Sequence, residues 1–160
     1  MPMRPASLLR LILCLALCLA IGAVGSYATM PQIPTWYAGL AKPSWTPPNA
    51  LFPVAWTILY VMIAVSLWLT WDRVAPSPER SSALGWQAVQ LVLNAIWSPV
   101  FFGAHATRAA LVIIMLLLVA IVMTIRATWP LHRPAAALLI PYALWIAYAA
   151  TLNAGIAAMN

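Results

Sequence analysis

Five long apolar runs, each almost free of charge, limit this chain more than any other feature of its sequence. They are residues 11–30, 50–71, 82–104, 109–125 and 134–158. Each approaches or exceeds the length of about 20 residues that an α-helix needs to cross a hydrocarbon layer. Composition points the same way. Hydrophobic residues make up 65% of the chain and charged ones 6%, whereas a soluble domain is about half apolar and about a quarter charged. Such a chain cannot cover a water-facing surface, and a helix that satisfies its own backbone is the structure lipid allows. The expectation is an all-α integral membrane bundle of five transmembrane helices, near 8–30, 50–71, 82–104, 107–128 and 134–157, forming a single domain over 1–160.

The formal charge of +6 does not indicate nucleic acid. The basic residues are scattered at segment ends rather than gathered on one face. With the N-terminus in the cytoplasm, Arg4, Arg10, Arg73, Arg80, Arg126 and Arg133 share that side, and Lys42 and Arg108 take the other. This asymmetry predicts a cytoplasmic N-terminus. The first segment has a second reading, as a secretory signal cleaved after Ser26-Tyr27-Ala28, which would leave four helices. Cys14 and Cys18, four apart in that segment, read as small hydrophobes rather than a redox or metal pair.

The chain is poor in catalytic side chains. Asp72 and Glu79 are its two carboxylates, and both are expected in a loop. Paired-carboxylate chemistry, carboxylate metal sites and proton-coupled transport through intramembrane acids therefore have little to work with. His105 and His132 fall near helix ends, as interfacial residues.

Aromatic residues are abundant instead, with nine tryptophans and five tyrosines. Trp68, Trp71, Trp86 and Trp129 sit where an interfacial belt would place them. Trp56, Trp97 and Trp145 belong to stripes. Gln90, Asn94, Trp97 and Phe101 share one face of the third helix, Phe52, Trp56 and Tyr60 one of the second, and Tyr142, Trp145, Ala149 and Asn153 one of the fifth. Amides are costly against lipid, so the stripe on the third helix must face protein or a cavity. Mutual packing and a pocket for a flat apolar ligand both fit these stripes. Pro53, Pro99 and Pro141 are expected to bend their helices. The segment from Trp36 to Pro48 is too rich in proline and tryptophan for a slack linker, and is expected to be a stiff lid.

Taken together, Trp36-Tyr37, Lys42-Pro43-Ser44-Trp45-Thr46-Pro47-Pro48, Phe52-Pro53-Val54-Ala55-Trp56-Thr57-Ile58-Leu59-Tyr60, Gln90 through Asn94, Trp97-Ser98-Pro99-Val100-Phe101-Phe102-Gly103 and Pro141-Tyr142-Ala143-Leu144-Trp145 through Asn153 resemble the TspO/MBR family. That family comprises bacterial tryptophan-rich sensory proteins and the mitochondrial translocator protein. The resemblance implies a retained first helix, a bacterial membrane, and a lidded pocket that binds porphyrins and hydrophobic drugs. It carries the ligand-binding role to Tyr37, Pro47, Trp56, Tyr60, Gln90, Asn94, Trp97, Trp145 and Ala149. It implies a tetrapyrrole receptor or sensor, with no obligatory cofactor and with protoporphyrin IX or haem as ligand. The alternatives it implies are light-dependent porphyrin degradation, with Trp56 and Trp145 as the catalytic pair, and a porphyrin transporter. Animal members place a tyrosine and then an arginine after the last helix as a proposed cholesterol contact, and this chain, ending Asn153 to Asn160, has neither. Membrane lipid is the expected surrounding partner. A homodimer is expected through the small pairs Ala16/Ala20 and Ser81/Gly85.

Overall fold

Each apolar run contains one long helix. In the computed structural model, which describes residues 4–160, these are α1 (Pro5–Thr29), α2 (Leu51–Arg73), α3 (Pro78–Ser98), α4 (Thr107–Thr128) and α5 (Ile140–Met159). No strand occurs among the described residues. The helices of runs one, two, four and five are long and apolar enough to cross a membrane. α3 matches them in length, with 21 residues, but it is less apolar because it carries Gln87, Gln90 and Asn94.

Those polar side chains are buried, while large apolar ones line the outside. Gln87, Gln90, Asn94, Asn153, Ser66 and Thr124 are all shielded within the bundle, and Leu9, Ile12, Val54, Val112, Leu116 and Leu144 are exposed. This is the reverse of a soluble protein and suits a lipid solvent. The hydroxyls of Thr70 and Thr124 donate to carbonyls one turn back, at 2.9 and 2.7 Å, so neither is left unpaired.

Around the bundle, α2 packs on α1, α1 also meets α3, α3 runs along α4, and α4 along α5. α2 and α5 scarcely touch. At one end of the gap between them, the short helix Arg133–Ala137 packs on α2 and α4. At the other end lies the first loop, with a 3-10 turn at Met30–Gln32 and a short helix at Trp36–Gly39. The small pairs Ala16/Ala20 and Ser81/Gly85 are exposed on the outer surface.

Several local expectations need correction. Asp72 and Glu79 are helical rather than in a loop, in the last turn of α2 and the first turn of α3. α3 starts at Pro78 rather than Ser82, because Ser77 caps it by accepting the Arg80 N–H at 3.1 Å, with proline at the first position. Pro53 falls in the first turn of α2, where no backbone N–H is needed, whereas Pro141 follows the break between Ala137 and Ile140 and leaves the Ala137 carbonyl without an i+4 donor. Pro99 opens a π-helical turn, Pro99–Gly103, closed by Ala104 N–H donating to the Pro99 carbonyl at 2.9 Å. The third run therefore ends as an α-helix at Ser98. The last run is also divided, into Arg133–Ala137 and α5.

The first loop is fastened to the end of α5. Trp45 donates its indole N–H to Thr151 Oγ1 at 3.3 Å, and its carbonyl accepts from Tyr148 at 2.7 Å. The Asn160 side chain exchanges two bonds with the Ala41 backbone, at 3.1 and 3.0 Å. Pro43 is buried against Gly155, where any β-carbon would overlap the proline ring. Lys42 Nζ donates to the carbonyls of Tyr37 and Leu40, at 2.7 and 2.9 Å, and lies over the Tyr37 ring. Gly155→Val is therefore expected to detach the loop while leaving the helices assembled. Hydrogen exchange at the Ala41 and Thr46 amides should quicken by at least about tenfold, the loss of roughly 1.4 kcal/mol of local protection. Unchanged exchange would show that the proline–glycine contact does not hold the loop.

Candidate functional site

The gap between α2 and α5 is a cavity of about 600 Å³. α1, α2, α3, α5 and the first loop line it, and α4 contributes nothing. Its volume lies in the range of about 300–1,000 Å³ typical of small-molecule sites.

The walls are largely aromatic. Trp56 stacks on Tyr60, centroids 5.4 Å apart, and Trp97 on Phe101 at 5.2 Å. Phe52 meets Trp145 edge-on at 5.9 Å, so α2 and α5 touch through rings where their backbones stay apart. Opposite these, Gly22 on α1 admits Tyr60, since a β-carbon there would stand 2.8 Å from the ring. Toward the loop the wall carries Ser26 and Thr29 on α1, Asn49 before α2, and Thr57.

Behind the walls, α3 holds the bundle through paired amides. The Tyr60 hydroxyl donates to Asn94 Oδ1 at 2.7 Å, and Asn94 Nδ2 donates to the Tyr142 hydroxyl at 2.5 Å. One side chain thus joins α2, α3 and α5. One turn further, Trp97 donates to Asn153 Oδ1 at 3.1 Å, and Asn153 donates to the Thr107 carbonyl at 2.8 Å. In the other direction Gln90 donates to Gln87 and Gln87 to Ser66, at 3.2 and 3.1 Å. Gln90 Oε1 and the Trp145 indole N–H are buried without a partner among the described residues.

Of the residues singled out from sequence, Tyr37, Trp56, Tyr60, Asn94, Trp97, Trp145 and Ala149 line the cavity. Gln90 does not: it is wholly buried between helices, where its amide meets Gln87. Pro47 is also absent from the wall. The loop meets the cavity instead through Ile33, Pro34, Tyr37 and Asn49. Tyr37 packs on Phe102 at 5.6 Å. Burial, and secondarily the nearby Tyr148 phenol, pushes its own phenol above the ordinary value, so it stays neutral at physiological pH.

Sequence reasoning missed the face of α1 that carries Leu19, Gly22, Ala23, Ser26 and Thr29. The small residues at 22, 23, 25 and 26 were the available signal. It also missed Phe102, which the π-helical turn brings inward beside Phe101. His105 holds a left-handed backbone (φ 55°), stacks on Trp36 at 4.1 Å and pairs with Gln32 at 3.0 Å. His132 caps the helix at Arg133 by accepting the Ala135 N–H at 3.2 Å. Both histidines thus serve local structure.

Asn94→Leu removes two bonds and should destabilise the reconstituted protein by about 1–2 kcal/mol, since such bonds in membranes are worth about 1 kcal/mol or less each. Tyr60→Phe should cost less. In reversible unfolding, the double variant should lose less than the two single losses combined, because the bond is shared. Strict additivity would mean that the Tyr60–Asn94 bond contributes nothing.

Comparison with known proteins agrees with this architecture. The sequence model of the TspO/MBR family matches residues 14–159. The "Tryptophan-rich protein TspO" of Chlorobaculum tepidum is 40% identical over 153 residues, 96% of this chain and 97% of that one. The "Tryptophan-rich sensory protein" of Cereibacter sphaeroides is 35% identical over 134 residues, 84% of this chain and 82% of that one. The "Translocator protein" of Homo sapiens is 40% identical over 119 residues, 74% of this chain and 70% of that one.

Proposed function

The chain belongs to the TspO/MBR family of integral membrane proteins, and from that premise we propose that it is a membrane receptor that binds tetrapyrroles in the cavity between α2 and α5. The observation that carries this reading is the form of the wall. Two stacked aromatic pairs, Trp56–Tyr60 and Trp97–Phe101, provide broad flat surfaces, which suit the face of a planar conjugated ring. Tyr37, Trp145 and Ala149 complete the proposed contacts around it.

Polarity gives the ligand a direction. A porphyrin has an apolar macrocycle and an edge bearing carboxylates. The macrocycle matches the aromatic depth of the cavity, and the carboxylate edge matches the loop end, where Ser26, Thr29 and Asn49 lie.

A second reading, light-driven porphyrin breakdown, draws on the presence of both Trp56 and Trp145 on this one wall. Indole is readily oxidised, and a photoexcited porphyrin in contact with it can take one electron. Titrating protoporphyrin IX into purified protein in the dark tests the first reading, and illumination tests the second. Tryptophan emission should be quenched saturably in the dark. Trp56→Phe and Trp145→Phe keep the apolar contact, so each should weaken binding only about fivefold. Any light-driven loss of the porphyrin spectrum should fall much further in both. Dark binding that is absent, or unaffected by either change, would refute the receptor reading.

A further inference from the structure

At the end of the bundle opposite the first loop, a second cavity of about 420 Å³ is lined by Arg10, Trp71, Asp72, Arg73, Arg80 and the turn at 74–76. Its charges do not balance. Asp72 accepts from Ser7 at 2.7 Å and Arg10 at 3.0 Å, and forms an ion pair with Arg73 at 3.3 Å. Three guanidiniums and one carboxylate line it, and Glu79, the other acid in the chain, is exposed and off the wall.

The arginines are held in place by contacts that leave donors free. Arg80 Nη1 donates to the carbonyls of Val74 and Trp71, at 3.0 and 3.4 Å, covering the C-terminal end of α2. Its Nε–H is buried and has no partner among the described residues. Arg10 lies over the Trp71 ring at 5.5 Å, and Arg73 over Trp68 at 5.2 Å. Trp68 in turn donates to the Ser7 carbonyl at 3.1 Å, joining α1 to α2.

We propose that this cavity binds the phosphate of an anionic phospholipid headgroup, with the guanidiniums of Arg10, Arg73 and Arg80 that line it supplying donors and charge. Guanidinium groups are suited to phosphate by their fixed array of donors. Basic pockets between membrane helices bind anionic headgroups in general. Lipid rather than free phosphate is the source because the site lies beside interfacial tryptophans and next to Leu8, Leu9, Ile12 and Leu13, all exposed on α1, along which acyl chains can lie.

Native mass spectrometry of the full-length protein with phosphatidylglycerol, with phosphatidylcholine, and with inorganic phosphate alone tests this. The wild-type protein should retain phosphatidylglycerol over phosphatidylcholine on the order of tenfold, and inorganic phosphate should not displace it. Arg73→Gln/Arg80→Gln should abolish that preference with the helical circular dichroism unchanged. Should the glutamine pair fail to fold, Arg80→Lys keeps the charge and drops the planar guanidinium, and it should reduce the preference about threefold. Equal retention of the two lipids by the wild type overturns the proposal. So does an undiminished preference in the folded variants, or displacement by inorganic phosphate.

Discussion

Water is missing from the middle of a bilayer, so an amide placed there has to be paired by protein. α3 carries three such amides, Gln87, Gln90 and Asn94, together with the indole of Trp97. Their partners lie on every neighbour that matters: Ser66 and Tyr60 on α2, Tyr142 and Asn153 on α5, and through Asn153 the first carbonyl of α4. Exchanging any of these for lipid contact would strand a donor or acceptor. This requirement fixes how α3 is rotated and how far its neighbours can move.

The cavity follows from that arrangement. α2 and α5 are both tied to Asn94, from opposite sides, by the two tyrosine hydroxyls. They converge on α3 rather than on each other, and the space between them is left to aromatic side chains. Gly22 lets the Tyr60 ring lie against α1, and the π-helical turn at Pro99 brings Phe101 and Phe102 inward. The loop then closes the open end by seating Pro43 on Gly155. At the far end, Asp72 gathers α1 and α2 through Ser7 and Arg10.

Much of this was legible in the sequence, for identifiable reasons. Apolar length alone specified the helices, because lipid permits few other structures. The four-residue spacing of Gln90 and Asn94 required an inward face, and both are buried. Spacing could not show which inward surface each would meet. Gln90 turns toward Gln87, one turn back on α3, and Gln87 in turn reaches Ser66 on α2. Ser77-Pro78-Glu79 was a readable helix start, masked by its charged and proline-rich composition. The α1 wall was harder to read. Its signal was the run of small residues at 22, 23, 25 and 26, and small residues are common in membrane helices without marking a site. Pro53 was misleading because it lies in the first turn of its helix, where the missing N–H has no consequence.

The account depends most on one idea, that the aromatic walls between α2 and α5 exist to hold a flat ring. A structure of the protein with protoporphyrin IX, prepared in the dark, tests it most directly. The macrocycle is expected inside the bundle, with Trp56 and Trp145 each about 4–7 Å from its plane or edge and its carboxylates toward the first loop. A macrocycle bound on the lipid-facing outside, with the α2–α5 cavity closed by its own side chains, would contradict the account.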